Sequence, residues 1–303
     1  MFIKSTLKFK SNIKKIIAAA FALIFVLACT EEPKRADKSD QEVEEKKNSN
    51  LFEISGKVFS IPSPIQTAFL LKEVGTNYSS ELLNPTTNVT SYVTTSSKAL
   101  NLGIYGADLG YATIYDQTQD AISYMAVTKR MTTELGIANL FDEKMLSRFE
   151  ENLGNMDSLL SLVSDAFKTA DQYLKNNKQN DLSVLILAGG WVETLHYATT
   201  LANSNGDQVI KNRIGEQKIT IKNLINLLLP YQENPEVSTI LNQLNELKDI
   251  YNGIDFSYSF KAPTTDEENK TTTINSESNV TMSAEQLSDI TTKIADIRNS
   301  IIK

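Results

Sequence analysis

The sequence predicts a mainly α fold, an antiparallel helical bundle or a stack of helical hairpins, with a small β-hairpin fitting near 256–282. Three observations carry that reading. Apolar residues recur at helical spacing through most of the chain after Leu51. The connections between these stretches are mostly short, which sets successive helices side by side and antiparallel. Only 51–62 and 256–282, rich in Ser, Thr and Phe, lack a helical period and read as loops or hairpin strands.

Taken in order, the helical stretches are Pro64–Val74, Ala99–Tyr115, Thr118–Leu135, Asp142–Leu153, Asp157–Asn176, Leu182–Leu201 and Ile221–Leu229. Next comes a stripe of Val237, Ile240, Leu241, Leu244, Leu247, Ile250, Tyr251 and Ile254. Asn234 and Pro235 introduce it as N-cap and first-turn proline. The last stripe, Leu287, Ile290, Ile294, Ile297 and Ile301, steps by three and four residues, and Ser283 with Gln286 forms a capping box before it. No repeat of fixed length and consensus runs through these pairs, so no named solenoid is indicated.

The chain divides into 1–28, 29–50 and a single helical domain over 51–303. Residues 1–28 hold five lysines and no acid, followed by twelve apolar residues from Ile16 to Leu27. That run is too short to span ~30 Å of hydrocarbon and reads as a secretory signal peptide. Val26-Leu27-Ala28-Cys29 resembles a bacterial lipobox, which implies cleavage before Cys29 and acylation of its thiol. A membrane partner through that lipid follows. Cys29 is the sole cysteine, so the mature domain has no disulfide and no thiol chemistry. Residues 30–50 carry twelve charges with Val43 as their one large aliphatic residue, and read as a flexible acidic tether. Glu31 and Glu32 resemble the acidic export signal of Bacteroidetes surface lipoproteins, and Thr30 is not the aspartate of inner-membrane retention. The expected location is therefore the cell envelope, lipid-anchored at the outer membrane.

Loss of the five lysines takes the formal net charge from −7 to −12. A surface that acidic repels phosphate backbones, so no nucleic-acid partner is expected.

Two segments hold the candidate site residues. Leu102–Tyr111 has three glycines, each unfavourable in a helix by roughly 1 kcal/mol relative to alanine, and close helix packing over Gly103, Ala107 and Gly110 would offset that. A ligand-binding groove lined by Tyr105, Asp108 and Tyr111 is the alternative. The second segment, Ala188–Tyr197, contains the only tryptophan and the only histidine, Trp191 and His196. Glu193 and His196 have the Glu-x-x-His spacing of carboxylate-bridged di-iron bundles, but a second histidine is missing, which excludes that class. A mononuclear metal site on Glu193, His196 and another carboxylate is the sharper alternative to a packing histidine, and Trp191 reads as core. No nucleophile elbow, phosphate loop or zinc-protease motif occurs, and Asn203–Asp207 lacks the acids of a calcium loop. No catalytic residue, metal site or cofactor is therefore assigned.

SIPSP (Ser60–Pro64), KALNLGIYGADLGYATIYDQ (Lys98–Gln117) and AGGWVETLHYAT (Ala188–Thr199) resemble an uncharacterised family of mainly helical Bacteroidetes lipoproteins over most of 52–303. That resemblance implies location and a helical fold and brings no activity. The function expected from the sequence is a non-catalytic binding or scaffold role in the envelope, with a protein or small-molecule partner. The competing expectation is an envelope hydrolase or metal-dependent enzyme built on Glu193 and His196.

Overall fold

The computed structural model describes residues 51–303 except 55–56, 61–63, 138–142, 153–154, 267–270 and 274. The signal segment, Cys29 and the tether lie outside the described residues.

Strands β1 (Leu51–Ile54) and β2 (Lys57–Ser60) pair antiparallel, Leu51 opposite Ser60. Helices α1 (Pro64–Glu73), α2 (Thr95–Ile114), α3 (Thr118–Glu134), α4 (Glu143–Glu151), α5 (Met156–Asn176), α6 (Asn180–Asn205), α7 (Gln208–Leu228) and α8 (Pro235–Asn252) follow. A hairpin region comes next: β3 (Asp255–Ser259), β4 (Thr264–Asp266), β5 (Thr271–Thr273) and β6 (Glu277–Thr281), with β3 paired to β6 and β4 to β5. Helix α9 (Ala284–Ile302) closes the chain.

The fold is thus mainly α, with helices packed on one another and a small antiparallel hairpin before the last of them. The caps act where the sequence placed them. Ser283 and Gln286 form both arms of the capping box on α9, and the Asn234 side chain accepts the amides of Glu236 and Val237 behind Pro235 on α8. Tight links such as Asp116 at φ 58° and Gly206 at φ 70° reverse the chain between α2 and α3 and between α6 and α7. One helix is much longer than expected, since α7 begins at Gln208 rather than near Ile221.

Helices α2 and α6 are the central pair, and α1, α3, α5, α7 and α9 pack around one or both. Every residue of α2 from Ala99 to Ile114 is buried, so this stretch of the helix has no solvent face and is apolar nearly all round. Glycine makes the pairing possible. A methyl group built on Gly103 would overlap the carbonyl oxygen of Ile186 and lie 2.7 Å from the Gly190 amide nitrogen. One built on Gly189 would overlap the Leu100 carbonyl in the same way. Of the α2 glycines, Gly103 is the contact between backbones, while a methyl group on Gly110 would meet the Ile65 side chain of α1 at 3.2 Å; dispersion along the α2–α6 seam offsets the poor helix propensity of Gly103.

Candidate functional site

Between α1 and α2 the chain runs along the bundle as an irregular strap, residues 75–94, with short 3-10 turns at Ser80–Leu82 and Thr86–Thr90 and with Leu82, Leu83 and Asn84 buried at its middle. Where the backbone is buried its polar groups must be satisfied, and here side chains from several helices do it. Arg298 Nη2 of α9 donates to the Leu82 carbonyl at 2.9 Å. Tyr124 of α3 donates to the Asn84 carbonyl at 3.0 Å, and Tyr105 of α2 to the Pro85 carbonyl at 3.0 Å. The Asn84 amide donates to Asp108 Oδ2 at 3.2 Å. The Asn84 side chain reaches Tyr92, at 3.0 Å, and accepts from Asn88 at 2.9 Å. Asn101 in turn donates to the Ile301 carbonyl near the end of α9 at 2.9 Å.

At the centre of this network sits an ionic cluster. Glu193 on α6 receives both arms of the Arg298 guanidinium, Nε to Oε2 at 2.5 Å and Nη2 to Oε1 at 2.7 Å. Bidentate geometry of this kind is the strong form of a carboxylate pair. Asp108 on α2 makes a hydrogen-bonding contact with Glu193 and accepts the hydroxyl of Tyr197. Asp108 and Glu193 are 0 % exposed and Arg298 7 %. Burial raises the Asp108 carboxyl well above the usual carboxylate range, and the Glu193 charge beside it adds to the rise. Burial pushes Glu193 upward as well, but the Arg298 guanidinium pulls it back, so the proton shared by the two acids resides on Asp108. Burial on its own would lower Arg298; the Glu193 carboxylate reverses that and raises it. The cluster is then one anion, one cation and one neutral acid.

The aromatic candidates line the same interior. Tyr111 stacks on Tyr78 with centroids 5.4 Å apart and meets Tyr197 at 4.8 Å and Tyr115 at 4.7 Å. Tyr105 and Tyr111 are wholly buried. Trp191 points elsewhere, donating its indole N–H to Gln217 of α7 at 2.9 Å. The cavity beside it, bounded also by Thr67, Thr194 and Arg213, measures about 10 Å³, room for one water-sized group. His196 does not join Glu193. Its Nδ1 is buried without a hydrogen-bond partner, and burial together with the Arg298 charge lowers its pKa to about 4. The ring is a neutral packing group at neutral pH. Among the described residues no three His, Cys, Asp or Glu side chains cluster as metal ligands, and no described helix is long and apolar enough to cross a membrane.

The structure thus brings Asp108 and Glu193 together, sets Tyr105 and Tyr111 against the strap and ring stack, and leaves Trp191 and His196 apart. Cys29 is outside the described residues. Sequence reasoning passed over Arg298, Tyr197 and Asn84. For Arg298 a signal existed: it falls four residues after Ile294 and three before Ile301, on the apolar face of α9.

The chain matches no protein-family model, and no curated protein or solved structure is similar to it.

Proposed function

We propose that this is a lipoprotein of the cell envelope, anchored at the outer membrane through Cys29, with a non-catalytic binding or scaffold role. The lipobox, the acidic tether and the resemblance to helical Bacteroidetes lipoproteins support the location. The observation that favours binding over catalysis is the bidentate Arg298–Glu193 pair. The acid with the most suggestive spacing spends both oxygens holding α9 and the strap against α6, sealed from any substrate. What such a protein offers to its surroundings is an outer surface, and the partner is a protein or small molecule that meets that surface.

Two measurements test the reading. Fractionation of cells making the Cys29→Ser chain is expected to move the protein out of the membrane fraction; firm attachment of that variant overturns the anchor. Metal analysis of the purified chain beside His196→Ala addresses the role. Stoichiometric metal that disappears in the variant would sink the scaffold reading and restore the metal-dependent alternative.

A further inference from the structure

The hairpin between α8 and α9 is built unlike the rest of the molecule. Its base is packed: Val280 on β6 is buried against α7, close enough that Gly215 there has no room for a side chain. Beyond the base the strands continue as one ribbon. Ser276 Oγ accepts the Lys261 amide and donates to the Lys261 carbonyl, both at 3.1 Å. Asn275 donates to the Ala262 carbonyl at 2.9 Å and to Thr264 at 2.7 Å, and Thr265 meets Thr272 at 3.2 Å. These links join the β3–β6 ladder to the β4–β5 ladder.

Three features of that ribbon are costly in water. Phe256 pairs with Val280, so by strand alternation Tyr258 continues the face that Val280 begins. Along it Tyr258 stands 59 % exposed and Phe260 72 % exposed. Each sheet is two-stranded among the described residues, so no described strand pairs with the outer edge of β3 or β6. Residues 257–266 and 271–273 are all exposed, and among the described residues no third strand joins them, whereas an isolated two-stranded hairpin is marginal in water. Natural sheets blunt such edges with charge or cover; here an aromatic face and open edges coincide.

We propose that this ribbon is a docking arm that takes an extended basic segment of another polypeptide as an added strand. The open edge supplies backbone hydrogen bonds, Tyr258 and Phe260 supply apolar contact for alternate side chains, and charge selects the sign of the partner. Described ribbon residues carry Asp255, Asp266 and Glu277 against Lys261, and the chain beyond its signal segment carries −12. That field repels a second copy of the chain and an anionic headgroup surface alike, and attracts lysine- and arginine-bearing strands. This proposal rests on the binding role proposed above and names its surface and partner class.

The test uses the full chain in detergent micelles with a fluorescent peptide of alternating Lys and Val. Its controls are a Glu and Val counterpart and a version with proline at its centre. Saturable binding of the basic peptide is expected, together with slowed amide exchange in the ribbon. The proline peptide and the Tyr258→Ser/Phe260→Ser variant should each bind at least tenfold more weakly, with the circular dichroism of the variant unchanged. Equal binding by the proline peptide or by the variant means diffuse electrostatic attraction and overturns the proposal, as does no binding at all. Sedimentation showing a dimer that the variant loses would assign the arm to a second copy, and also overturns it. A Glu193-dependent hydrolysis or bound metal would instead sink the binding-role reading while leaving the peptide result as it stands.

Discussion

Between pH 4.5 and 9 the stability of this protein should follow two opposing titrations in its core. The Asp108 carboxyl is raised in the folded state by burial and by Glu193, against about 3.9 when unfolded. As pH climbs above about 4 the unfolded chain gives up this proton and the folded chain keeps it, so stability falls by up to ~1.4 kcal/mol per pH unit. The fall continues until the folded pKa of Asp108 is passed, and Glu193, raised by burial as well, adds to it. His196 works in the other direction. Its folded pKa is depressed to about 4 from 6.5, so its contribution is complete above pH 6.5 and is lost as pH falls toward 4. The 2.5-unit gap corresponds to ~3 kcal/mol, spread over the same window at the same slope. The His196 gain offsets part of the carboxyl loss up to about pH 6.5, and above it that loss continues unopposed until the folded carboxyl pKa values are passed.

Urea unfolding at half-unit pH steps should therefore give a shallow profile up to about pH 6.5 and a steeper decline above it. In Asp108→Asn the amide keeps the Tyr197 and Glu193 contacts without a titrating proton. Relative to wild type that variant should gain stability as pH climbs, above pH 6.5 as well as below it. His196→Leu should fall behind wild type between pH 4.5 and 6.5 and then keep a constant deficit. Surface carboxylates titrate in all three proteins alike, so the differences between curves isolate the core groups. If Asp108→Asn declines above pH 7 as steeply as wild type, the neutral acid has been placed on the wrong residue.

Three further outcomes follow from the packing. Arg298→Met strands the Glu193 carboxylate in the interior and should lower stability by ~3–5 kcal/mol in denaturant titrations, while Arg298→Met with Glu193→Leu should recover most of that; no recovery would mean that the pair is not the source of the loss. Gly103→Ala drives a methyl group into the α6 backbone and should destabilise by ~3 kcal/mol or more, against roughly 1–2 kcal/mol for Gly206→Ala, whose left-handed backbone is the only obstacle. Equal melting shifts for these two glycines would contradict the close approach of α2 and α6. Gln217→Leu leaves the indole N–H of the only tryptophan unpaired and should weaken folding by ~1–3 kcal/mol with a shifted fluorescence maximum; an unmoved spectrum would place Trp191 elsewhere.

What could be read of the fold from sequence depended on whether a helix shows its buried face as an unbroken stripe. Helices α8 and α9 do, and both appeared with their caps. The first half of α7 does not. Its core-facing residues are Ile210, Ile214, Gln217, Ile221, Leu224 and Leu228, stepping by four and three, and the polar Gln217 interrupts the stripe. The Gln217 side-chain oxygen accepts the Trp191 indole N–H from another helix, while its amide nitrogen donates to the Arg213 carbonyl within α7. The strap over 75–94 was illegible for a related reason. Its backbone is satisfied by Arg298, Tyr124, Tyr105 and Asp108, all distant in sequence, and nothing local announces that its Leu82, Asn84 and Tyr92 are buried.

The ionic cluster was half legible, and the missing half changes its meaning. Asp108 and Glu193 stand out as charges inside apolar helices, and spacing invited a pairing of Glu193 with His196. Helical spacing puts two side chains on one face but does not say which neighbouring helix that face meets. In the fold it meets α9, and Arg298 outbids the histidine because a guanidinium offers two donors and a full charge where a buried neutral imidazole offers one donor. Once Arg298 is counted, the sum constrains the rest. Two acids and one base sealed together leave a net negative charge that low-dielectric packing does not tolerate, so one acid must hold a proton. Glu193 has the guanidinium and Asp108 has only neutral donors, Tyr197 and the Asn84 amide. The proton on Asp108 is thus a consequence of which helix carries the arginine, and that is information the sequence holds only after it has folded.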